Sequence, residues 1–319
     1  MAGLATEWGN SHDVIVYTKV KIRTTELNLP YTIVRHWNLI SLWVAIANSD
    51  VLVEANISLK TFWLGLLNYK KWVVIHHTCY SGHQKFYFDI LKDNIRNILT
   101  LFSNNIACSS FVARSLIGKS LVIPNFYNNQ IFKKHSIVKN PNSLVFLGRL
   151  VSDKGVDFLL HALYVLKQRG YKYHLTIVGD GPEEFTLKSI VNKLELRESV
   201  IFKGILKDKA LAWELSKHSI MIIPSRWKEP FGVVALEGLA CGCRIICPDE
   251  GGLKEAAGSN ALLYVHNNLN SLIDVIERSS YSLLNIENDD KVQAHLLEHN
   301  QVVIAKRYID YLNDIINEK

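Results

Sequence analysis

Apolar positions along the chain follow two rhythms: short continuous runs of Val, Ile, Leu and Phe, and longer stretches in which apolar residues recur every third or fourth position. From residue 143 onward the two alternate regularly. SLVFLGRL (143–150), HLTIVGDG (174–181), SVIFKGI (199–205), SIMIIPS (219–225) and RIICPD (244–249) read as strands. Between them, VDFLLHALYVLKQRG (156–170) reads as an amphipathic helix ending at Gly170, and a second helix runs from Pro182 to about Leu194. Strands this rich in branched apolar residues, with helices between them, predict a parallel sheet covered on both faces. Ligands of such sheets sit at the carboxyl ends of the strands.

The first 135 residues show the same pattern less cleanly. HDVIVYT (12–18), YTIVR (31–35), DVLVEA (50–55), WVVIHHT (72–78), NIACSS (105–110) and LVIPN (121–125) read as strands, and FYFDILKDNIRNILTLF (86–102) as a helix. The polar, basic segment 128–143 contains Pro141 and is expected to be a linker, and 301–319 reads as a closing amphipathic helix. The expected organisation is an α/β protein of two doubly wound domains, 1–136 and 137–300, with 301–319 crossing back to the first. A length of 319 residues suits two cores better than one.

Composition supports a folded chain: 48% of residues are hydrophobic and 21% charged, with 17 Gly and 7 Pro. The longest apolar runs, FWLGLL (62–67) and SLWVAIA (41–47), fall short of the roughly 20 residues needed to cross a bilayer. Glu7, and the lack of a basic segment followed by an apolar core, argue against a signal peptide. Five cysteines without framework spacing fit reduced thiols and a cytoplasmic location. Cys241, Cys243 and Cys247 make a poor zinc pattern, so no metal site is expected.

Charge is unevenly spread. Residues 1–135 hold 14 Lys and Arg against 7 Asp and Glu, a balance of +7, while the rest, with 22 against 23, stands at −1. The excess is either a solubility feature or the mark of an anionic partner such as lipid headgroups or phosphate. Trp37, Trp43 and Trp63 lie in this basic part and suit a peripheral position on the inner face of a membrane; the alternative is that they are core. Nucleic acid is not expected, because no recognition motif accompanies the charge.

Candidate chemistry concentrates in EPFGVVALEGLACG (229–242), where Glu229 and Glu237 stand among apolar neighbours. A carboxylate there needs a compensating partner. Pro230 suits a first helical turn, which would leave the N–H groups of Gly232, Val233 and Val234 facing an anion, with Phe231 beside them. Glu237, two turns deeper, could reach a ligand hydroxyl. The alternative is that Glu229 caps the helix and Glu237 pairs with a core arginine. LGRLVSDKGVD (147–157) adds Arg149 and Lys154 beside Gly148 and Gly155, cations able to hold a diphosphate. VGDGPEE (178–184) brings Gly179 to another strand end but lacks the last glycine of G-x-G-x-x-G, which counts against a nicotinamide enzyme.

Taken together and in order, FLGRLVSDKGVDFLLHAL, HLTIVGDGPE, VIFKGIL, IIPSRWKEPFGVVALEGLACG and GGLKE (251–255) resemble the donor domain of family 4 retaining glycosyltransferases, over residues 143–258. The resemblance implies the GT-B fold, two Rossmann-like domains facing a cleft. It implies that Arg149 and Lys154 hold the donor diphosphate, and that Glu237 bonds the ribose. Glu229 and the amides after it would meet the sugar and phosphate, and Phe202-Lys203-Gly204 would lie near the base. DVLVEANISL followed by KWVVIHHT is similar to the acceptor side, with His77 as the catalytic histidine and His76 adjacent. VIPNFYNNQIF (122–132) is similar to the interdomain pattern P-N-G-x-D-x-x-x-F, with Phe126 and Asn128 replacing its Gly and Asp.

The function so implied is metal-independent transfer of a hexose-type sugar from a nucleotide diphosphate donor, with retention, to a saccharide or lipid-linked acceptor, in polysaccharide or glycolipid synthesis. No further cofactor is implied. One departure stands out: members of the family open with a strand and a Gly-rich loop, whereas MAGLATEWGNSHDVIVYT resembles the helix and second strand that follow. A first domain incomplete in this way raises the alternative of a weak or silent nucleotide-sugar-binding protein.

Overall fold

The computed structural model describes residues 1–19, 28–80, 87–281 and 290–317. Two compact units emerge, Met1–Asn125 with Gln301–Lys319, and Phe126–Asn300.

The first unit opens with α1 (Ala2–Gly9), β1 (Ile15–Tyr17), β2 (Thr32–Val34), α2 (Leu39–Ala47), β3 (Leu52–Ala55) and α3 (Phe62–Leu67). It continues through β4 (Trp72–His76), α4 (Tyr87–Leu99), β5 (Asn104–Ala107), α5 (Ser110–Ala113) and β6 (Ser120–Val122). β4 is buried on both faces, as its unbroken apolar run predicts for a covered parallel strand. Trp72 from β4 lies flat against α3 because residue 65 is glycine: a Cβ there would stand 2.3 Å from the indole. β3, β4, β5 and β6 form one parallel sheet in that order, and β1 and β2 pair in parallel by themselves. Among the described residues no strand joins β1 to β3.

The second unit runs β7 (Asn140–Leu147), α6 (Val156–Gln168), β8 (His174–Val178), α7 (Glu184–Lys193), β9 (Val200–Gly204), α8 (Asp208–Ser216) and β10 (His218–Ile222). It goes on through α9 (Val233–Ala240), β11 (Arg244–Pro248), α10 (Leu253–Ala257), β12 (Leu262–Tyr264), α11 (Leu269–Tyr281) and α12 (Asp290–Glu298). The sheet is parallel throughout, in the order β12-β11-β10-β7-β8-β9. Chain order reverses between β7 and β10, so the crevice of this doubly wound sheet opens at the carboxyl ends of those two strands. Leu144, Phe146, Leu159, Leu163, Ile177, Ile220 and Ile276 fill one face of the core. α6 buries Val156, Leu159, Leu160, Leu163 and Leu166, the face its spacing predicts.

The chain ends with α13 (Gln301–Asn317), which belongs to the first unit. There Trp8 Nε1 donates to the Ala305 carbonyl at 3.3 Å, Trp8 meets Tyr308 edge to face, and Gln301 bonds Glu7.

Two expectations are corrected. Segment 128–143 is not a free linker. β7 starts at Asn140 and includes Pro141, His135 packs against Trp213, and Lys139 Nζ donates to the carbonyls of Cys241 and Gly242 at 2.9 and 2.7 Å. The division accordingly falls after Asn125 rather than after residue 136. β12 is an addition to the expected strands: its three residues pair at the sheet edge with Ile246–Pro248, too short a run to stand out as a period. Of the predicted helix 86–102, Phe86 lies outside the described residues; Tyr87–Leu99 is α-helical and Thr100–Phe102 a 3₁₀ turn.

Candidate functional site

At the crevice, three strand ends are tied together through glycines. Gly148 N–H donates to the Val178 carbonyl at 3.1 Å, and Gly179 N–H to the Gly204 carbonyl at 2.8 Å. Gly179 has φ +134°, and a Cβ on it would lie 1.9 Å from the Gly148 carbonyl oxygen. Only glycine fits, for conformation and for space. Beyond Gly148, Arg149 is exposed, and Leu150 N–H donates to the Asp180 carbonyl at 2.7 Å.

Lys154 closes a 3₁₀ turn, Ser152–Lys154, whose partner is the loop after β10. The Asp153 carbonyl accepts from the N–H groups of Arg226 and Trp227 and from Ser225 Oγ, at 2.8, 3.2 and 3.2 Å. Arg226 also pairs with Asp157 at 2.7 Å. This strap brings Lys154 Nζ onto Glu229 Oε1, an oxygen that also accepts from Ser225 Oγ at 3.0 Å. The Glu229 carbonyl receives Gly252 N–H at 2.7 Å from the loop after β11. Glu229 is therefore an acid fixed by a lysine and a serine, neither of them adjacent in sequence, and it does not cap the helix.

The helix itself corrects the sequence reading. Pro230 is not in its first turn: α9 starts at Val233, because Gly232 stands before it at φ +102°, a left-handed conformation. Phe231 is buried and stacks against His299 at 6.0 Å. The expected anion-facing amides survive the change of boundary. The N–H groups of Gly232, Val233 and Val234 find no acceptor among the described residues, whereas Ala235 N–H turns back to the Gly232 carbonyl. Glu237, one turn in, has neither a hydrogen bond nor an ion pair among the described residues, so no core arginine neutralises it. Burial pushes its carboxyl up to about 7.

Farther along the strand ends, Phe202 is half-buried, with Lys188 Nζ 5.4 Å from its ring centroid, and Lys203 is exposed. In the first unit, His76 and His77 part company. His76 is fully buried, with Nδ1 against Tyr80 Oη at 3.0 Å and Nε2 against Asn105 Oδ1 at 2.9 Å. Burial holds its imidazolium down to about 4, so it is a neutral structural residue. His77, past the end of β4, is half-buried; its N–H donates to Asn56 Oδ1 at 2.9 Å. Burial, and then the N-terminal ammonium, push its imidazolium below the usual range, against the opposing effect of a hydrogen bond to the Asn125 side chain.

The second unit thus gathers Gly148, Arg149, Lys154, Gly179, Glu229, Gly232, Val233, Val234 and Glu237 at the carboxyl end of one sheet. Ser225 is not legible from the sequence, because its role depends on where the strap places it and not on any spacing. The free cysteines Cys241, Cys243 and Cys247 are buried, and burial pushes each thiol well above its usual range.

The sheet is a doubly wound α/β sheet with cations and unpaired amides at its switch point, and comparison with known proteins gives it relatives. Residues 128–282 match the model of the family described as glycosyl transferases group 1, so the stretch that builds the site carries that family's pattern. The chain is 31% identical over 204 residues to an uncharacterized glycosyltransferase of Methanocaldococcus jannaschii, covering 59% of this chain and 54% of that protein. It is 25% identical over 251 residues to the gpi3 subunit of phosphatidylinositol N-acetylglucosaminyltransferase from Schizosaccharomyces pombe, covering 73% and 53% respectively. The chain spans about half the length of these two relatives. Among solved structures, Anabaena HepE in complex with UDP and glucose superposes with a TM-score of 0.77 at 17% identity, covering 98% of this chain and 94% of that one. The fold is the α/β fold with parallel sheets of GT-B glycosyltransferases.

Proposed function

We propose that the protein transfers a sugar from a nucleoside diphosphate to a hydroxyl of a saccharide or lipid-linked acceptor, with retention at the anomeric carbon. One observation carries the reading: after β7 and β10 the chain brings Lys154 onto Glu229, just before a helix start whose Gly232, Val233 and Val234 N–H groups find no acceptor among the described residues. As the bond between sugar and diphosphate breaks, negative charge grows on the leaving oxygens. Arg149, Lys154 and the amides of Gly232, Val233 and Val234 meet that charge with donors already in place, which is where preorganised electrostatics act most strongly. Glu229, immobilised by Lys154 and Ser225, orients sugar hydroxyls, and Glu237 accepts from the ribose. Phe202 and Lys203 flank the base, and His77 serves the acceptor side. The name of the Schizosaccharomyces pombe relative, a phosphatidylinositol N-acetylglucosaminyltransferase, supports a lipid acceptor, and the HepE complex supports UDP as carrier.

The test is a panel of nucleoside diphosphate sugars scored for release of nucleoside diphosphate, with the anomer of the product read by NMR. Turnover of one donor with retention is expected, and His77→Ala should lower kcat while leaving nucleotide affinity unchanged. Inversion of configuration, or no donor bound, would overturn the reading. A second reading, nucleotide-sugar binding without transfer, is favoured by the separation of β1–β2 from the β3–β6 sheet. Saturable donor binding with no turnover on any acceptor would select it.

A further inference from the structure

Glu229 can orient a ligand only if the loop that carries it, Ser225–Glu229, keeps one register. On one side that loop hangs from a single atom, the Asp153 carbonyl oxygen, which takes Arg226 N–H, Trp227 N–H and Ser225 Oγ. Three donors on one oxygen fix a point and leave the loop free to turn about it. At the far end the Glu229 carbonyl accepts from Gly252 N–H. Between these anchors the loop meets His266, 40 positions from Arg226 in the turn after β12.

The His266 ring faces the loop twice. Nε2 lies 3.0 Å from the Arg226 carbonyl oxygen. A carbonyl only accepts, so Nε2 carries the hydrogen and donates. Nδ1 stands 3.5 Å from Glu250 Oε2, the oxygen that pairs with Lys228 Nζ at 2.6 Å. Arg226 is thus gripped by its N–H from the β7 side and by its carbonyl from the β12 side, with its guanidinium on Asp157.

The histidine is itself anchored. Its N–H donates to Asp249 Oδ1 at 3.0 Å, and Asp249 N–H donates to the Tyr264 carbonyl at 3.0 Å. Before it, Val265 N–H donates to Ser271 Oγ of α11 at 2.9 Å; after it, Asn267 takes a left-handed conformation, φ +57°, that turns the chain toward that helix. The side chain is only 11% exposed, so water competes little for the bond to Arg226.

We infer that His266 is a positioning residue of the proposed transfer site, a role that rests on Glu229 orienting the donor sugar: by holding the Arg226 carbonyl it sets the register in which Ser225 and Lys154 meet Glu229. Among the described residues none of its bonds reaches Arg149, Lys154 or the amides of Gly232, Val233 and Val234. Its loss should therefore cost rate and not nucleotide affinity.

The full chain is assayed with UDP-glucose and UDP-N-acetylglucosamine for release of UDP, and with UDP alone for affinity. His266→Ala should lower kcat about fivefold to tenfold, the effect of one hydrogen bond, with UDP affinity unchanged. His266→Gln, whose amide can donate where Nε2 does, should recover most of that rate, and His266→Phe, a ring without a donor, should not. The losses from Ser225→Ala and His266→Ala should combine to less than their product, because both act on Glu229. Equal losses of kcat and UDP affinity, no recovery with glutamine, or a strictly multiplicative double variant would overturn the inference. Amide hydrogen exchange decides the same point without turnover: Arg226 and Trp227 N–H should exchange about fivefold faster in His266→Ala, with β7, β8 and β11 unchanged. Unchanged exchange at both amides would remove the role of His266 even in an active enzyme. Faster exchange in a protein that binds UDP and transfers neither sugar would sustain His266 and overturn transfer.

Discussion

Replacing Glu237 by glutamine should make the protein more stable and bind worse. Burial raises the Glu237 carboxyl from the ordinary 4.5 to about 7. Below pH 4.5 the group is neutral in folded and unfolded chains alike. Between 4.5 and 7 the unfolded chain gives up its proton while the folded one keeps it, so stability drains away as pH rises and the loss is complete above 7. At about 1.4 kcal/mol for each tenfold in ionisation, the ceiling is about 3 kcal/mol. Glutamine cannot ionise and escapes that cost. Calorimetry should therefore show Glu237→Gln melting close to the wild-type temperature at pH 4 and above it at pH 8. The gain has a ceiling of about 6–12 °C for a unit of this size. Nucleoside diphosphate affinity should fall at least tenfold, because a charge-assisted hydrogen bond worth about 1.5–3 kcal/mol is lost. A carboxylate kept for structure would behave oppositely. Lower stability at pH 8, or unchanged affinity, would refute the reasoning.

Ser225→Ala removes the hydroxyl that holds Glu229 and the Asp153 carbonyl; about a tenfold loss in kcat with little change in nucleotide affinity is expected. An equal loss in both would mean that the strap, and not the orientation of Glu229, was damaged. His76 has its imidazolium held near 4 instead of the ordinary 6.5, so stability should fall as pH drops from 6.5 to 4. His76→Gln should flatten that dependence; an unchanged slope in denaturant titrations would locate the acid sensitivity elsewhere. Donor binding should survive EDTA if, as proposed, Arg149, Lys154 and the helix amides meet the diphosphate charge themselves. Strict dependence on magnesium or manganese would contradict this.

Strands are the easiest features to read. WVVIH in β4 and LTIV in β8 are continuous apolar runs whose burial follows from composition alone. Features that depend on tertiary partners are harder. Pro230 is a good first-turn residue by local preference, but the left-handed Gly232 delays the helix to Val233. Lys154 and Glu229 lie 75 positions apart, and only the strap between Asp153 and the Ser225–Trp227 loop brings them together. Periodicity identifies α4 as amphipathic without saying which face points inward; the bonds of Arg96, Asn97 and Thr100 decide that. Glu229 stands out among its apolar neighbours, yet Ser225, the serine that fixes it, leaves no mark in the sequence.

The central claim is that the switch point of the second unit holds a nucleoside diphosphate through Lys154. Isothermal titration of wild type and Lys154→Ala with UDP, GDP, ADP and dTDP tests it most directly. One of the four should bind wild type saturably and Lys154→Ala at least about tenfold more weakly, the loss of one charge-assisted hydrogen bond. No binding by any of them, or affinities within twofold in the two proteins, would contradict it.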